Sequence, residues 1–169
     1  GGPYLGFMTA SSAMMRKLPG RIVGQTVDTE GEIGYVLTLS AREQHIRREK
    51  ASSNICSNEQ LCAFTAAVYL SAMGEKGLRQ AATLCTSKAH YFAQQLEEKL
   101  GWKRVHPGEF FHEFVTECPD TEKALAALAK RDILGGLPVE GGILWCVTEV
   151  VTKERLDEAV AILQEVSCG

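Results

Sequence analysis

LRQAATLCTSKAHYFAQQLEEKL, residues 78–100, is the stretch on which the fold reading turns. Leu78, Ala82, Cys85, Ala89, Phe92, Leu96 and Leu100 recur at steps of three and four, which puts them on one face of an α-helix. Such a stripe reads as core packing rather than as a cofactor box. Upstream, Ser57 and Gln60 form an S-x-x-Q capping box. Leu61, Phe64, Ala67 or Val68, and Leu70 or Ser71 continue from it at helical spacing. Gly74 and Gly77 mark a break between these two helices.

Beyond Gly101 the pattern shifts. WKRV and FFHEFVTEC are β-prone, and Asp120 or Thr121 can cap a helix over TEKALAALAKRDI. LPVEGGILWCVTEV offers two short strands around Glu140-Gly141-Gly142. Thr152 can cap a last helix with the apolar face Leu156, Ala159, Val160 and Leu163. The order β-α-β-β-α predicts an α+β lobe, with helices covering one face of a small, largely antiparallel sheet.

Before the long helices, SSAMMRKL (11–18) fits a short helix stopped by Pro19 and Gly20. RIVGQTV and IGYVLTL are two β-prone runs around DTEGE, whose Asp28 and Gly31 carry turn chemistry, so a projecting hairpin is expected. Three parts follow: residues 1–56, the helices of 57–100, and an α+β part at 101–169.

A chain of 169 residues with 45% hydrophobic and 23% charged content can build a real core. Its net charge of −3 supplies no general field toward nucleic acid or anionic membranes, so an anion site must be local. Six cysteines (56, 62, 85, 118, 146 and 168) lie on or beside apolar segments without a C-x-x-C pair or a zinc-type His/Cys spacing. They read as reduced, mostly buried thiols of a cytoplasmic protein, with a disulfide as the alternative. No apolar stretch has the length of a membrane span. Gly1 in place of an initiator methionine reads as the interior of a longer chain.

The local anion candidate is REQHIRREKASSNIC, residues 42–56, which crowds Arg42, His45, Arg47, Arg48 and Lys50 into nine positions. Guanidinium groups present paired donors that match carboxylate or phosphate. The alternative is ion pairing with Glu43 and Glu49. His45 is the acid/base candidate by residue type, against an exposed helix-end histidine. Ser53 and Asn54 can assist anion binding or simply cap the next helix. His90, His106 and His112 read as structural. Without interleaved aromatic residues, the run does not suit nucleic acid. Gly1, Gly2, Pro3, Tyr4 and Gly6 form a glycine-rich loop, either a phosphate cradle or a tight connection beside a sheet.

GGPYLGFM (1–8), MRKLPGRIVGQTVD (15–28) and above all LTLSAREQHIRREKASSNICSNEQL (37–61) resemble the glycine decarboxylase P-protein family of the glycine cleavage system. The closer resemblance is to subunit 1 of the two-subunit bacterial form, in its C-terminal part. FFHEFVTEC and LPVEGGILWCVTEVVTKERLDEAV fall where that family has its last strands and helix. The resemblance implies an aminotransferase-like, fold type I architecture: the end of a large domain, bridging helices, and a small C-terminal domain. It further implies pyridoxal phosphate in the assembled enzyme, with the Schiff-base lysine on the partner, glycine decarboxylase subunit 2, and no cofactor held by this segment. Glycine would be decarboxylated and its aminomethyl group passed to the lipoyl H carrier protein. No catalytic residue is assigned. Gly1, Gly2, Pro3, Tyr4, Arg42, His45, Arg47 and Asn54 are the residues expected to line the cleft, and no metal ligand is expected. An assembly or docking module that binds the partner subunit or the lipoyl carrier, without a catalytic role, is the second expectation.

Overall fold

A computed structural model describes residues 5–51 and 59–167. Two compact units divide the chain, residues 1–72 and 73–169.

In the first unit, strands β1 (Ile22–Val27) and β2 (Ile33–Thr38) pair antiparallel, with Val23 opposite Leu37 and Val27 opposite Ile33. Their five-residue loop is organised by Asp28. Its carboxylate accepts the backbone N–H groups of Glu30 (2.8 Å) and Glu32 (2.9 Å), while Gly31 supplies the positive φ of +87°. The expected pairing and turn therefore form. SSAMMRKL does not become an α-helix: it makes a turn and a single 3₁₀ turn over Met15–Lys17. Pro19 stops propagation before the segment is long enough to repay helix nucleation. After β2 come a 3₁₀ turn (Ser40–Arg42), the one-turn helix α1 (Gln44–Arg47) and a second 3₁₀ turn (Arg48–Lys50). None of the described residues up to 72 is buried.

Helical hydrogen bonding then runs over α2 (Gln60–Leu100), interrupted at Gly74 (φ +60°, ψ −179°). That is one of the two glycines read as a break. The Ser57 capping box lies outside the described residues. Along the second segment Cys85, Ala89, Phe92, Ala93 and Leu96 are buried, but Ala82 of the expected stripe is exposed. Its neighbour Ala81 is half-buried in its place, because helical drift turns the face before it reaches the core. Gly101, at φ +74°, ends the helix with its N–H on the Glu97 carbonyl at 3.0 Å.

The second unit, residues 73–169, is of α+β type and includes the second segment of α2, which the sequence reading sets apart from the 101–169 part. Strand β3 (Glu113–Thr116) pairs antiparallel with β5 (Gly142–Cys146), which pairs antiparallel with β4 (Leu137–Val139), giving the order β3-β5-β4. WKRV contributes only an isolated bridge, Arg104 to Thr116. His112, expected within a strand, stands just before β3.

The core residues Phe114, Ile143 and Trp145 of the sheet meet Phe92 and Leu96 of α2. They also meet Ala124 and Leu128 of α3 (Thr121–Ala129), and Leu156, Ala159, Val160 and Leu163 of α4 (Lys153–Ser167). Phe92 stands edge-on to Trp145, ring centroids 5.3 Å apart at 87°, the orientation the aromatic quadrupole favours. Both expected caps are made: Asp120 accepts from the Lys123 N–H at 2.9 Å and Thr152 from the Arg155 N–H at 3.2 Å. No described helix is long and apolar enough to cross a membrane.

Candidate functional site

The basic segment of the first unit is built around Arg42. Its Nη1 donates to the Leu18 carbonyl and to Glu43 Oε1 at 2.9 Å, and its Nη2 donates to the Gly20 carbonyl at 2.6 Å. The carbonyls flank the Pro19-Gly20 turn, where Gly20 takes φ +82°. A rigid guanidinium fork spans two backbone acceptors where an ammonium would satisfy one direction at a time. The group ties the chain entering β1 to the chain leaving β2. Its Nε is buried and has no hydrogen-bond partner among the described residues. Of the two alternatives open in the sequence, the Glu43 ion pair is formed, with both side chains largely covered.

His45 is exposed and lines a cavity of about 240 Å³ with Arg21, Leu37, Thr38, Ser40 and Glu43. Arg47 is exposed, and its Nε donates to the Ala41 carbonyl at 3.3 Å. The segment changes direction at two non-glycine residues of positive φ, Leu39 (+55°) and Arg48 (+54°). Sustained backbone strain of this kind requires support from surrounding structure. The two guanidinium tethers of Arg42 and Arg47 provide some of it. Gly1, Gly2, Pro3, Tyr4 and Asn54 lie outside the described residues. Of the three predicted cleft residues that are described, Arg42, His45 and Arg47, His45 alone lines this cavity. Arg21 and Ser40 join it without having been singled out, since only the hairpin's closure brings position 21 next to position 40.

The second unit carries polar clusters that sequence reading missed. Cys85 donates to Glu149 Oε2 at 3.3 Å, and Lys88 Nζ donates to the Glu149 carbonyl at 2.5 Å. Burial first, and the Glu149 carboxylate second, push the Cys85 thiol above its ordinary value. Tyr91 Oη donates to Asp157, which also accepts from Lys153 Nζ at 2.6 Å; those two bonds, Lys153 first, hold the Asp157 carboxyl below the usual range. His112, Glu113 and Cys146 bring one donor atom each within 4.8 Å of one another. An i,i+4 Lys153/Asp157 pair was legible locally; the other groupings depend on contacts across the fold. Among the described residues, Cys62, Cys85, Cys118 and Cys146 are free thiols, and for them the expectation of mostly buried cysteines fails. Only Cys85 is buried, Cys62 and Cys118 are half-buried, and Cys146 is exposed because it points away from the core face of β5.

The model of the glycine cleavage system P-protein family matches residues 1–163. The probable glycine dehydrogenase (decarboxylating) subunit 1 of Thermomicrobium roseum is 46% identical over 98% of this chain and 39% of its own length. The same-named protein of Moorella thermoacetica is 49% identical over 97% of this chain and 39% of its own length. A crystal structure of glycine decarboxylase (P-protein) of the glycine cleavage system, in inhibitor-bound form, superposes with a TM-score of 0.87 at 44% identity. It covers 98% of this chain and 39% of that one. The chain thus spans about two fifths of the length of these relatives.

Proposed function

This chain belongs to the glycine cleavage system P-protein family, and on that premise we propose that it is the C-terminal part of subunit 1 of a two-subunit glycine decarboxylase. The observation that carries the reading is the continuous match to proteins named subunit 1 across nearly the whole chain, with the fold retained at a TM-score of 0.87. The whole enzyme would decarboxylate glycine with pyridoxal phosphate and hand the aminomethyl group to the lipoyl H carrier protein. The cofactor would supply the electron sink for the α-carbon.

The cavity of the first unit, as the described residues line it, does not fit a covalent site for that cofactor. The cavity beside the basic segment has no lysine in its wall and includes the Glu43 carboxylate, while Arg42, its neighbour in sequence, is occupied by two carbonyls and Glu43. Following the two-subunit family it resembles, we propose that the Schiff-base lysine lies on subunit 2, and we give this segment a structural role with His45, Arg47 and the glycine-rich loop at the cleft rim. The test is glycine-dependent exchange of labelled CO₂ with the lipoyl carrier present. Exchange is expected when complete subunit 1 and subunit 2 are mixed, and none from the 169-residue chain. Exchange catalysed by the isolated chain would overturn the reading.

One observation favours a second role, docking of subunit 2. Val23, Val27, Ile33, Tyr35 and Leu37 occupy one face of the β1–β2 ribbon by register, and all five are exposed. In complete subunit 1, Tyr35→Asp is expected to reduce co-elution with subunit 2 without altering the far-ultraviolet circular dichroism. Undiminished co-elution would remove the docking role.

A further inference from the structure

We propose that His112, Glu113 and Cys146 form a binding site for one divalent metal ion of borderline softness, with Zn²⁺ the ion the donor set fits. Glu113 and Cys146 are directly opposed residues of the β3–β5 pair, so their side chains leave the sheet on the same face. Their sequence neighbours Phe114 and Trp145 are buried, whereas Glu113 and Cys146 are exposed. The pair therefore occupies the face opposite the core, on a hydrogen-bonded frame rather than a loop.

His112 is held to the same frame from the end of β3. The Val147 N–H donates to its carbonyl at 2.9 Å, and the Phe111 ring stands edge-on to the imidazole, centroids 4.6 Å apart at 88°. Its Nδ1 is buried and has no hydrogen-bond partner among the described residues, so that nitrogen is not already committed to a protein group.

One ring nitrogen of His112, a Glu113 carboxylate oxygen and Cys146 Sγ lie within 4.8 Å of one another. Tetrahedral coordination at zinc bond lengths needs donor atoms about 3.4–3.8 Å apart. A contraction of about 1 Å is within reach of side-chain rotation on a fixed backbone. Imidazole, carboxylate and thiolate together select zinc or cobalt over magnesium or calcium, which take oxygen donors. Three protein donors leave the fourth position for water or an external ligand. The cysteine and the histidine are 34 positions apart in sequence, so no linear zinc spacing reveals them.

The test is titration of the reduced, tag-free 169-residue chain with Co²⁺. One equivalent is expected to produce a thiolate-to-cobalt charge-transfer band and tetrahedral visible bands, both displaced by Zn²⁺. Cys146→Ser should abolish the charge-transfer band, and His112→Ala and Glu113→Gln should each weaken binding about tenfold or more. Cys62→Ser and Cys118→Ser should bind as the parent does. A parent without the band, a band that survives Cys146→Ser, or one lost with Cys118→Ser would overturn the proposal. Should Cys146→Ser lose its circular dichroism, Glu113→Gln decides, since it keeps the side-chain size: unchanged affinity there would equally overturn it.

Discussion

The Trp145 indole N–H donates to the Thr116 hydroxyl at 2.9 Å, wholly inside the core of the α+β unit. Thr116 is the one fully buried polar residue among those described, and the bond runs diagonally across β3 and β5, since Thr116 faces Ile143 and Trp145 faces Phe114. The hydroxyl lets a large aromatic residue enter the core without stranding its polar hydrogen.

Thr116→Val keeps the shape and removes the acceptor. The indole N–H then stays buried without a partner, and a loss of about 1–3 kcal/mol is expected in urea or thermal unfolding. Thr116→Ser retains the hydroxyl and should recover most of that loss. Equal destabilisation by the two variants would show that methyl packing, not the hydrogen bond, matters here.

Gly142 is required by backbone proximity. A Cβ there would lie 1.8 Å from the Thr116 carbonyl oxygen, and its φ of +153° disfavours any side chain. Because the obstacle is main chain in the neighbouring strand, rotamer changes cannot relieve it. Gly142→Ala should cost about 3 kcal/mol or more, beyond the usual range of single substitutions. Gly108→Ala, with nothing within 4 Å of the added carbon, should change unfolding by less than about 1 kcal/mol.

Asp157 gives the fold an acid-sensitive contact. Lys153 and then Tyr91 hold its carboxyl below the ordinary range, so the folded state resists protonating it more than the unfolded chain does. The stabilisation is present above the unfolded value of about 3.9 and is lost as pH falls through the lower folded value. Asp157→Asn should flatten the acid limb of stability against pH. An acid limb of unchanged slope in the variant would assign that loss to other carboxylates.

Cys85 should alkylate slowly. Burial and the Glu149 carboxylate both disfavour its thiolate, the nucleophilic form. Iodoacetamide labelling followed by peptide mass spectrometry should rank it below the same residue in urea-unfolded chain at equal pH. Glu149→Gln removes the negative charge and should speed labelling of the folded protein. A rate unaffected by Glu149→Gln would leave burial as the whole cause.

The elements that sequence reading placed correctly are those whose causes lie within a few residues. The steps of Cys85, Ala89, Phe92 and Leu96, the Asp120 and Thr152 caps, the Asp28 turn and the Gly141-Gly142 turn each depend on near neighbours along the chain. Helical periodicity, capping and turn chemistry are local, so residue order suffices to specify them. Only the folded chain decides that Arg42 is taken up by the carbonyls of Leu18 and Gly20, that Arg21 joins His45 at one cavity, and that Glu113 faces Cys146. Those pairings join positions 20 to 35 residues apart. They arise from strand register and hairpin closure: in β3–β5 burial of the opposite face sets the register, and in β1–β2 the five-residue turn does.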